Sequence, residues 1–322
     1  MIIFFASLIH DNFFLRPIAF IRHVRYNEIA IIMEVETMKH YLSIDIGGTT
    51  IKYALFDPEL TTVASGKFPT NHNENNHILT TVSQISQQFH DQVSLAGIGI
   101  STAGIVAADG SIQYAGPTIP GYTGTPLKQT LTAITGGPVS VANDVVAALR
   151  GEALAGAARN YQDIYYVALG TGIGGAHLRN QTLITGAHGL ANSLGYTLTG
   201  NAPTNYETTA ATLALEHQLA PLGIDVITAF NQAKKEPNSP IATVIHEWAA
   251  AVAQGLANII YLIDPEVIII GGAVAQQGAF LENLLTDALT AIIPPTLNKT
   301  HLAISSLANK AQLIGAIAPL LN

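Results

Sequence analysis

The sequence predicts an α/β protein with two lobes. Its 322 residues exceed one typical domain of roughly 100 to 200 residues, so two lobes are the better expectation. In the first half, short β-rich segments come before and between helical segments, and the second half repeats that order. No low-complexity linker separates the halves, so we expect secondary structure to join them.

The first half opens with three strand-like segments joined by tight turns: YLSIDI, IKYALFD and TTVASGKF. The predicted elements that follow are a polar helix over 78–90, a buried strand over 94–101, a second strand over 138–143 and an alanine-rich helix over 144–157. A further helix is expected between the two buried strands, which completes one α/β lobe.

The second half begins with the strand DIYYVAL and two segments that resemble paired strands, GGAHLRN and QTLIT. The remaining predicted elements are helices over 206–218, 240–263, 278–289 and 310–321, a buried strand within 266–275 and a short strand over 302–306. Asp264-Pro265 ends the long helix, because proline cannot continue a helix and restricts the residue before it.

Composition excludes several classes of function. Only 11% of the residues are charged, and the net charge of -8 with a pI near 5.7 disfavours a nucleic-acid partner, which needs a basic face. The absence of cysteine excludes disulfides, thiolate zinc sites and a cysteine nucleophile. No apolar stretch approaches the roughly 18 residues of a membrane span, so we expect a soluble protein without a membrane partner.

Residues 1–37 are apolar without a clear period and lack the pattern of a signal peptide. The codons of residues 33–38 can contain a ribosome-binding sequence just before the codon of Met38. We therefore expect 1–37 to be an untranslated or disordered leader. The alternative is a genuine extension that packs as an extra helix. N-terminal sequencing of the native protein decides between them.

Clusters of small residues end three strands: DIGGTT at 45–50, LGTGIGGA at 169–176 and IIIGGAVA at 268–275. Glycine lets backbone amides approach a phosphate, and threonine adds a hydroxyl donor. The carboxylate of Asp45 would repel a phosphate bound at such a turn, so its position favours a Mg²⁺ ion between the two groups. The P-loop pattern is absent, and the GxGxxG at 170–175 is followed by strands instead of a helix, which argues against a dinucleotide site. Ordinary hairpin glycines are the alternative reading of any single cluster.

These motifs resemble, in order, those of the ROK family of sugar kinases, in the actin/hexokinase/Hsp70 superfamily. IDIGGTT and LGTGIGGA resemble its two phosphate motifs, VANDVVAALRGEALAGA its catalytic helix, LIDPEVIIIGGAV its adenosine-side strand, and GPTIPGYTGTPL its sugar-side loop. The resemblance implies two ribonuclease-H-like, actin-like ATPase lobes with a cleft between them. Lobe boundaries are expected at 38–143, together with the C-terminal helix 310–322, and at 144–309.

The resemblance also implies the role of each candidate residue. Asp144 is expected to be the general base that accepts the proton of the sugar hydroxyl during phosphoryl transfer. A helix-capping acid is its alternative reading. Asp45 is expected to hold Mg²⁺ through water. The expected ATP-binding residues are Gly47, Gly48, Thr49, Thr50, Thr171, Gly172, Gly271 and Gly272, with close packing as the alternative for the last two. The expected sugar-binding residues are Asn143, Glu207, Ser193, Tyr196 and Thr118.

The sequence departs from the family pattern at 189–212. The family's Gly-Glu is Asn192-Ser193 here, its histidine is Tyr196, and its cysteine-rich zinc box is missing, so we expect no zinc and a rebuilt sugar pocket. N-acetylmannosamine, a β-glucoside, glucose and fructose all stay open as substrates.

The expected function is ATP-dependent phosphorylation of a hexose or hexose derivative in the cytoplasm. The alternatives are a DNA-binding repressor of the family, for which the first 40 residues are too few, and a non-catalytic sugar sensor. Family analogy adds a possible homodimer.

Overall fold

The computed structural model describes residues 39–199 and 204–321. The expected leader over 1–37 lies outside the described residues. Between Lys39 and Leu321 the chain forms two five-stranded mixed sheets.

The first sheet contains the predicted three-strand meander. Strands of this half are β1 (His40–Ile46), β2 (Thr50–Phe56), β3 (Thr62–Pro69), β4 (Leu95–Thr102), β5 (Ile105–Val106), β6 (Ile112–Tyr114) and β7 (Val139–Asn143). Their order in the sheet is β3-β2-β1-β4-β7, with β5 and β6 forming a separate small hairpin. β1, β2 and β3 are antiparallel, whereas β4 and β7 run parallel to β1. The carboxyl ends of β1, β4 and β7 therefore meet at one edge of the sheet.

The second sheet repeats this order. Its strands are β8 (Asp163–Leu169), β9 (Ile173–Arg179), β10 (Thr182–Leu183), β11 (Val267–Gly271) and β12 (His301–Ile304). They are arranged β10-β9-β8-β11-β12, with an antiparallel meander and two parallel strands as in the first sheet. The turn between β1 and β2 and the turn between β8 and β9 thus occupy equivalent places in the two sheets.

Nine α-helices cover the sheets within the described residues. They are α1 (His77–Gln92), α2 (Leu127–Thr135), α3 (Asp144–Ala155), α4 (Tyr206–Ala210), α5 (Thr212–Leu219), α6 (Val226–Lys235), α7 (Pro240–Ile263), α8 (Ala279–Thr290) and α9 (Ala311–Ile317). No helix in 39–199 or 204–321 has the length and apolar character to cross a membrane.

The bounds of α7 confirm the prediction of a long helix over 240–263. The Ser239 hydroxyl accepts the N–H of Ala242 at 3.1 Å and caps its start. Its end falls at Asp264, whose φ of 53° is left-handed and which precedes proline. Local capping chemistry therefore fixes both ends of this helix.

Three predicted elements were wrong in detail. The helix over 206–218 is broken at Ala211, which has an extended backbone, into α4 and α5. The indole N–H of Trp248 donates to the carbonyls of Ala210 and Ala211, so packing against α7 stabilises the break. The strand predicted for QTLIT is only two residues long, β10. The helix predicted over 310–321 is α-helical only as far as Ile317, after which a 3₁₀ turn follows.

A close helix pair joins the first sheet to the second. A Cβ built on Gly151 of α3 would lie 2.1 Å from the Ala311 carbonyl oxygen, and one built on Gly315 of α9 would lie 1.7 Å from the Ala147 oxygen. Only glycine permits this backbone contact. The fully buried Glu152 carboxylate accepts the Ser305 hydroxyl at 2.6 Å, so α3 is also bound to the chain that leads into α9.

Candidate active site

Asp45 lies near the carboxyl end of β1 and is 8% exposed. Its Oδ1 accepts the Ser101 hydroxyl at 2.7 Å, and its Oδ2 lies 3.8 Å from Lys52 Nζ. Ser101 and Lys52 face Asp45 because they are its register partners on β4 and β2. Burial raises the pKa of this carboxyl, and the Ser101 bond and the Lys52 charge oppose the rise.

Asp144 is the first residue of α3, directly after β7. The N–H of Val145 donates to Asn143 Oδ1 at 3.0 Å and to Asp144 Oδ1 at 2.9 Å, so Asn143 caps the helix. Burial, and secondly the charge of Asp45, raises the pKa of Asp144 to about 6. The two acids therefore lie close enough to interact, across the one strand, β4, that separates β1 from β7.

The first glycine turn, residues 47–49, follows Asp45. The N–H of Gly47 donates to the Thr50 carbonyl at 2.9 Å. A Cβ on Gly47 would come no closer than 3.4 Å to another atom outside its chain neighbours, and one on Gly48 no closer than 3.7 Å, to Thr118. Neither glycine has a left-handed φ. Neither packing nor backbone conformation therefore requires glycine at these two positions.

The second glycine turn, residues 170–172, is its equivalent in the second sheet. The N–H of Gly170 donates to the Gly172 carbonyl at 3.0 Å, and Thr171 at the tip is exposed. Glu207 Oε2 accepts the N–H of Ile173 at 3.3 Å and lies 2.7 Å from the position of a Cβ on Gly172. Glu207 therefore contacts the second glycine turn directly.

Packing of α4 on α7 positions Glu207. The Tyr206 hydroxyl donates to the Val252 carbonyl at 2.6 Å, and its ring fills the space left by Gly255, where a Cβ would lie 2.1 Å from Cζ. Burial of Tyr206 fixes α4, so the next residue, Glu207, is directed at the second turn.

The start of α3 lies against the strand that follows the second turn. A Cβ on Gly174 of β9 would lie 2.5 Å from Val145 Cγ2. This contact brings Asp144, the residue before Val145, next to the second sheet. The structure therefore gathers Asp45, Asp144 and the second glycine turn into one region.

The third cluster, Gly271 and Gly272, is packed. A Cβ on Gly271 would lie 1.7 Å from the Tyr166 hydroxyl oxygen, and one on Gly272 would lie 2.0 Å from the Leu169 carbonyl oxygen. Gly272 also has a φ of 93°. Close packing, the alternative that the sequence left open, explains both glycines here.

The other predicted sugar-binding residues are more dispersed. The Asn143 amide Nδ2 donates to the Gly104 carbonyl at 2.9 Å, so both ends of this side chain have partners. Thr118 is exposed beside Gly48. Ser193 donates its hydroxyl to the Leu190 carbonyl at 2.9 Å, and Tyr196 is 71% exposed. Within residues 39–199 and 204–321, neither Ser193 nor Tyr196 forms a hydrogen bond with Asp45 or Asp144.

Sequence reasoning missed Ser101 and Lys52, the two partners of Asp45. Lys52 lies two residues after Thr50 and therefore on the same face of β2, and this spacing can be seen in the sequence. Ser101 required the register between β1 and β4, which the sequence did not provide.

Over the described ranges, no group of three or more His, Cys, Asp or Glu side chains could hold a metal ion. A cation at Asp45 therefore needs ligands from a bound molecule or from water. This is the donor set typical of Mg²⁺, which uses one or two carboxylates and otherwise phosphate and water oxygens.

Two sheets of the same strand order, with a glycine turn between the first two strands of each, define a protein of the actin-like ATPase fold. The ROK family model matches residues 41–321, so the chain belongs to the ROK family. The predicted family and fold class are confirmed.

Similar proteins include several sugar kinases. A glucokinase of Halalkalibacterium halodurans is 29% identical over 85% of this chain and 93% of its own length. A β-glucoside kinase of Listeria innocua is 28% identical over 85% and 94%. The crystal structure of a ROK family glucokinase from Streptomyces griseus in complex with glucose and AMPPNP superposes with a TM-score of 0.73 at 25% identity, covering 86% of this chain and 97% of that one.

Proposed function

We propose that this protein transfers the γ-phosphoryl group of ATP to a hexose or hexose derivative, at its 6-hydroxyl. The observation that carries the proposal is the placement of the buried Asp45 and the half-buried Asp144 at the carboxyl ends of β1 and β7, on either side of β4 and beside two equivalent glycine turns. The similarity to glucokinases and a β-glucoside kinase supports the reaction class.

The phosphates would lie against the first and second glycine turns. Gly47 and Gly48 leave room that neither packing nor backbone conformation explains, so a ligand can approach their backbone closely. The hydroxyls of Thr49, Thr50 and Thr171 supply further donors, and Gly172 completes the second turn. We place the adenosine beside Gly271 and Gly272, at the neighbouring strand end of the second sheet.

Asp45 would hold Mg²⁺ through water. When bound, Mg²⁺ neutralises charge on the phosphates during transfer. Asp45 suits this role because its carboxylate is buried with Oδ1 bound to Ser101, so Oδ2 is the atom left for outer ligands. Lys52 lies 3.8 Å from that oxygen and balances its charge.

Asp144 would act as general base. Its carboxylate accepts the proton of the sugar hydroxyl while the oxygen forms a bond to the γ-phosphorus and the bond from that phosphorus to ADP breaks. A pKa of about 6 keeps the group ionised at neutral pH yet raises its affinity for a proton. The bond from the Val145 N–H fixes the orientation of the carboxylate.

The sugar would be held by side chains around these acids. Asn143 is adjacent to Asp144, and Glu207 contacts the second turn. Thr118 lies beside Gly48 of the first turn. We place Ser193 and Tyr196 at the outer rim, where they would contact the substituent that distinguishes one sugar from another. The rim, which departs most from the family pattern, then decides among glucose, fructose, N-acetylmannosamine and β-glucosides.

A substrate panel tests the proposal. Hexoses, N-acetylated aminohexoses and β-glucosides are screened for Mg²⁺-dependent release of ADP, with Asp144→Asn beside the wild type. We expect one sugar class to be phosphorylated and kcat of the variant to fall about 10²- to 10⁴-fold, the usual contribution of a general base. The variant should still bind AMPPNP and sugar, as measured by calorimetry.

Two outcomes contradict the proposal. If no sugar releases ADP although sugar binds, the chain is a sugar sensor and the kinase assignment falls. If Asp144→Asn keeps its rate, another group accepts the proton.

A further inference from the structure

Thr70 and Asn73 connect the first glycine turn to the predicted sugar-side loop, residues 116–127. Thr70 is 1% exposed, donates its hydroxyl to the Gly48 carbonyl at 2.8 Å and donates its N–H to the Thr49 carbonyl at 3.0 Å. Asn73 is buried and donates its amide Nδ2 to the Pro120 carbonyl at 3.3 Å. A segment of four residues therefore bonds to both loops.

The bonds of Thr70 orient the first glycine turn. A trans peptide is planar, and its C=O and N–H point in opposite directions. Because the carbonyls of Gly48 and Thr49 point at Thr70, the N–H groups of Thr49 and Thr50 point away from it. Thr70 thus fixes the direction of two backbone N–H groups in the turn against which the proposed function places the phosphates.

Both polar atoms of the Asn73 side chain form hydrogen bonds with neighbouring segments of the protein. Its Oδ1 accepts the N–H of Ile78 at the start of α1 at 3.2 Å, and its own N–H donates to the Thr70 carbonyl at 2.9 Å. Its side chain thus joins α1 to Pro120, and its backbone joins both to Thr70. Two hydrogen bonds through Asn73 therefore connect the loop at Pro120 to Thr70.

The backbone here is held in an unfavourable conformation. Five residues of 71–76 have a left-handed φ between 46° and 58°: Asn71, His72, Asn73, Asn75 and Asn76. Such residues cost roughly 1 kcal/mol or more each, with asparagine the best tolerated, and they persist only where surrounding contacts impose them. Strain of this kind collects at functional sites.

We propose that Thr70 and Asn73 are positioning residues that couple the two substrate sites, so that a sugar ordering the 116–127 loop raises the affinity of the first glycine turn for nucleotide. This inference rests on the proposed function and adds to it a linkage between the two substrates. The linkage is reciprocal: bound nucleotide raises the affinity for sugar by the same factor.

The test measures the Kd of MgAMPPNP by calorimetry with and without saturating sugar, using glucose or the sugar of the panel that is phosphorylated fastest. In the wild type we expect sugar to lower this Kd about 5-fold or more. In Asn73→Gly the ratio of the Kd values without and with sugar should fall below about 2, as expected for two sites that are no longer coupled. Glycine suits a φ of 57°, so the variant removes the side-chain bonds and keeps the backbone conformation.

Asn75→Gly is the matched control. Asn75 has a φ of 52° and is exposed, so this variant makes the same change of residue without touching the loop or α1. It should keep the wild-type coupling factor. Thr70→Val, which loses only the hydroxyl bond to Gly48, should weaken coupling, and Thr70→Ser should restore it.

The inference is overturned if sugar leaves the Kd of MgAMPPNP unchanged in the wild type, or if Asn73→Gly keeps full coupling. Should Asn73→Gly melt below the assay temperature, the comparison of Thr70→Val with Thr70→Ser decides in its place. A wild type that is an active kinase without coupling contradicts this inference alone, whereas a wild type that binds no nucleotide contradicts the proposed function as well.

Discussion

The glycine pairs Gly47-Gly48 and Gly271-Gly272 both lie at the carboxyl end of a buried strand, yet the structure explains them differently. At Gly272 a Cβ would overlap the Leu169 carbonyl, and the backbone is left-handed. At Gly48 a Cβ would meet only ordinary contacts, and the φ is not left-handed. The fold requires glycine at the packed pair, whereas at the open pair the missing side chain leaves room for a ligand.

The two regions also differ in their titratable groups. The open pair lies beside Asp45, and the pKa of the nearby Asp144 is raised by burial and secondly by the charge of Asp45, so the ionised Asp144 lowers the stability of the folded state. The packed pair is bounded by Tyr166 and Leu169. Substitution in the packed pair should therefore affect folding, and substitution around the open pair should affect binding and catalysis.

Gly272→Ala should give the largest effect. A methyl group 2.0 Å from a backbone oxygen, at a φ of 93°, should lower the free energy of unfolding by about 3 kcal/mol or more. Urea unfolding followed by circular dichroism measures this. Wild-type stability in the variant would show that the contact with Leu169 relaxes freely and would remove the contrast between the pairs.

Asp144→Asn should stabilise the protein at neutral pH. The native pKa is raised from 3.8 to about 6, so the folded state binds the proton more tightly and the unfolding free energy falls as pH rises from about 4 to 6. Asparagine removes this cost, which is about 1 to 3 kcal/mol above pH 6 and vanishes below pH 4. Unfolding at pH 4 and pH 7 checks the sign.

Asp109→Asn is the control for this measurement. Hydrogen bonds from Ser111 lower the pKa of that exposed carboxyl, so its effect with pH should have the opposite sign. Equal behaviour of the two variants would contradict a pKa of Asp144 that is raised by desolvation and by the charge of Asp45.

Gly48→Ala should separate binding from folding. Its stability should change by no more than about 0.5 kcal/mol, as for a substitution without a clash. The Kd of MgAMPPNP should rise about 10-fold or more, because a methyl group would overlap the phosphate. Unchanged affinity would mean that phosphate does not approach this turn.

The smallest predicted effect is the pH dependence of the wild type. Since the base must be ionised, kcat/KM should be halved near pH 6 and fall about tenfold by pH 5, with a slope of one. Initial rates from pH 5 to 8 at low sugar concentration measure it. A flat profile over that range would exclude Asp144 as the titrating base.

Much of the fold could be predicted because local signals coincide with its elements. The meander and α7 carry alternation, caps and a terminating proline, and the structure reproduces them. The hairpin of β5 and β6 was missed because strands of two and three residues have no detectable period. The break at Ala211 depends on Trp248, 37 residues away along the chain, which no local window includes.

The site divides in the same way. Motifs identified Asp45 and Asp144 as candidates, and the structure places them on either side of β4. The bond from Ser101 and the bonds of Thr70 and Asn73 depend on strand register and loop conformation, which the motifs do not encode. The catalytic, sugar-binding and nucleotide-binding roles stay predictions for the experiments above.

The contact of α3 with α9 constrains the order in which the molecule can be completed on the ribosome. Every residue proposed for phosphate, metal or proton transfer precedes position 273, but Gly315, on which the helix of Asp144 rests, is made only after the entire second sheet. A nascent chain therefore carries all its chemical groups while that helix still exposes its apolar glycine face. A product truncated before α9 would lack the helix that covers this face and should be less stable than the full-length chain.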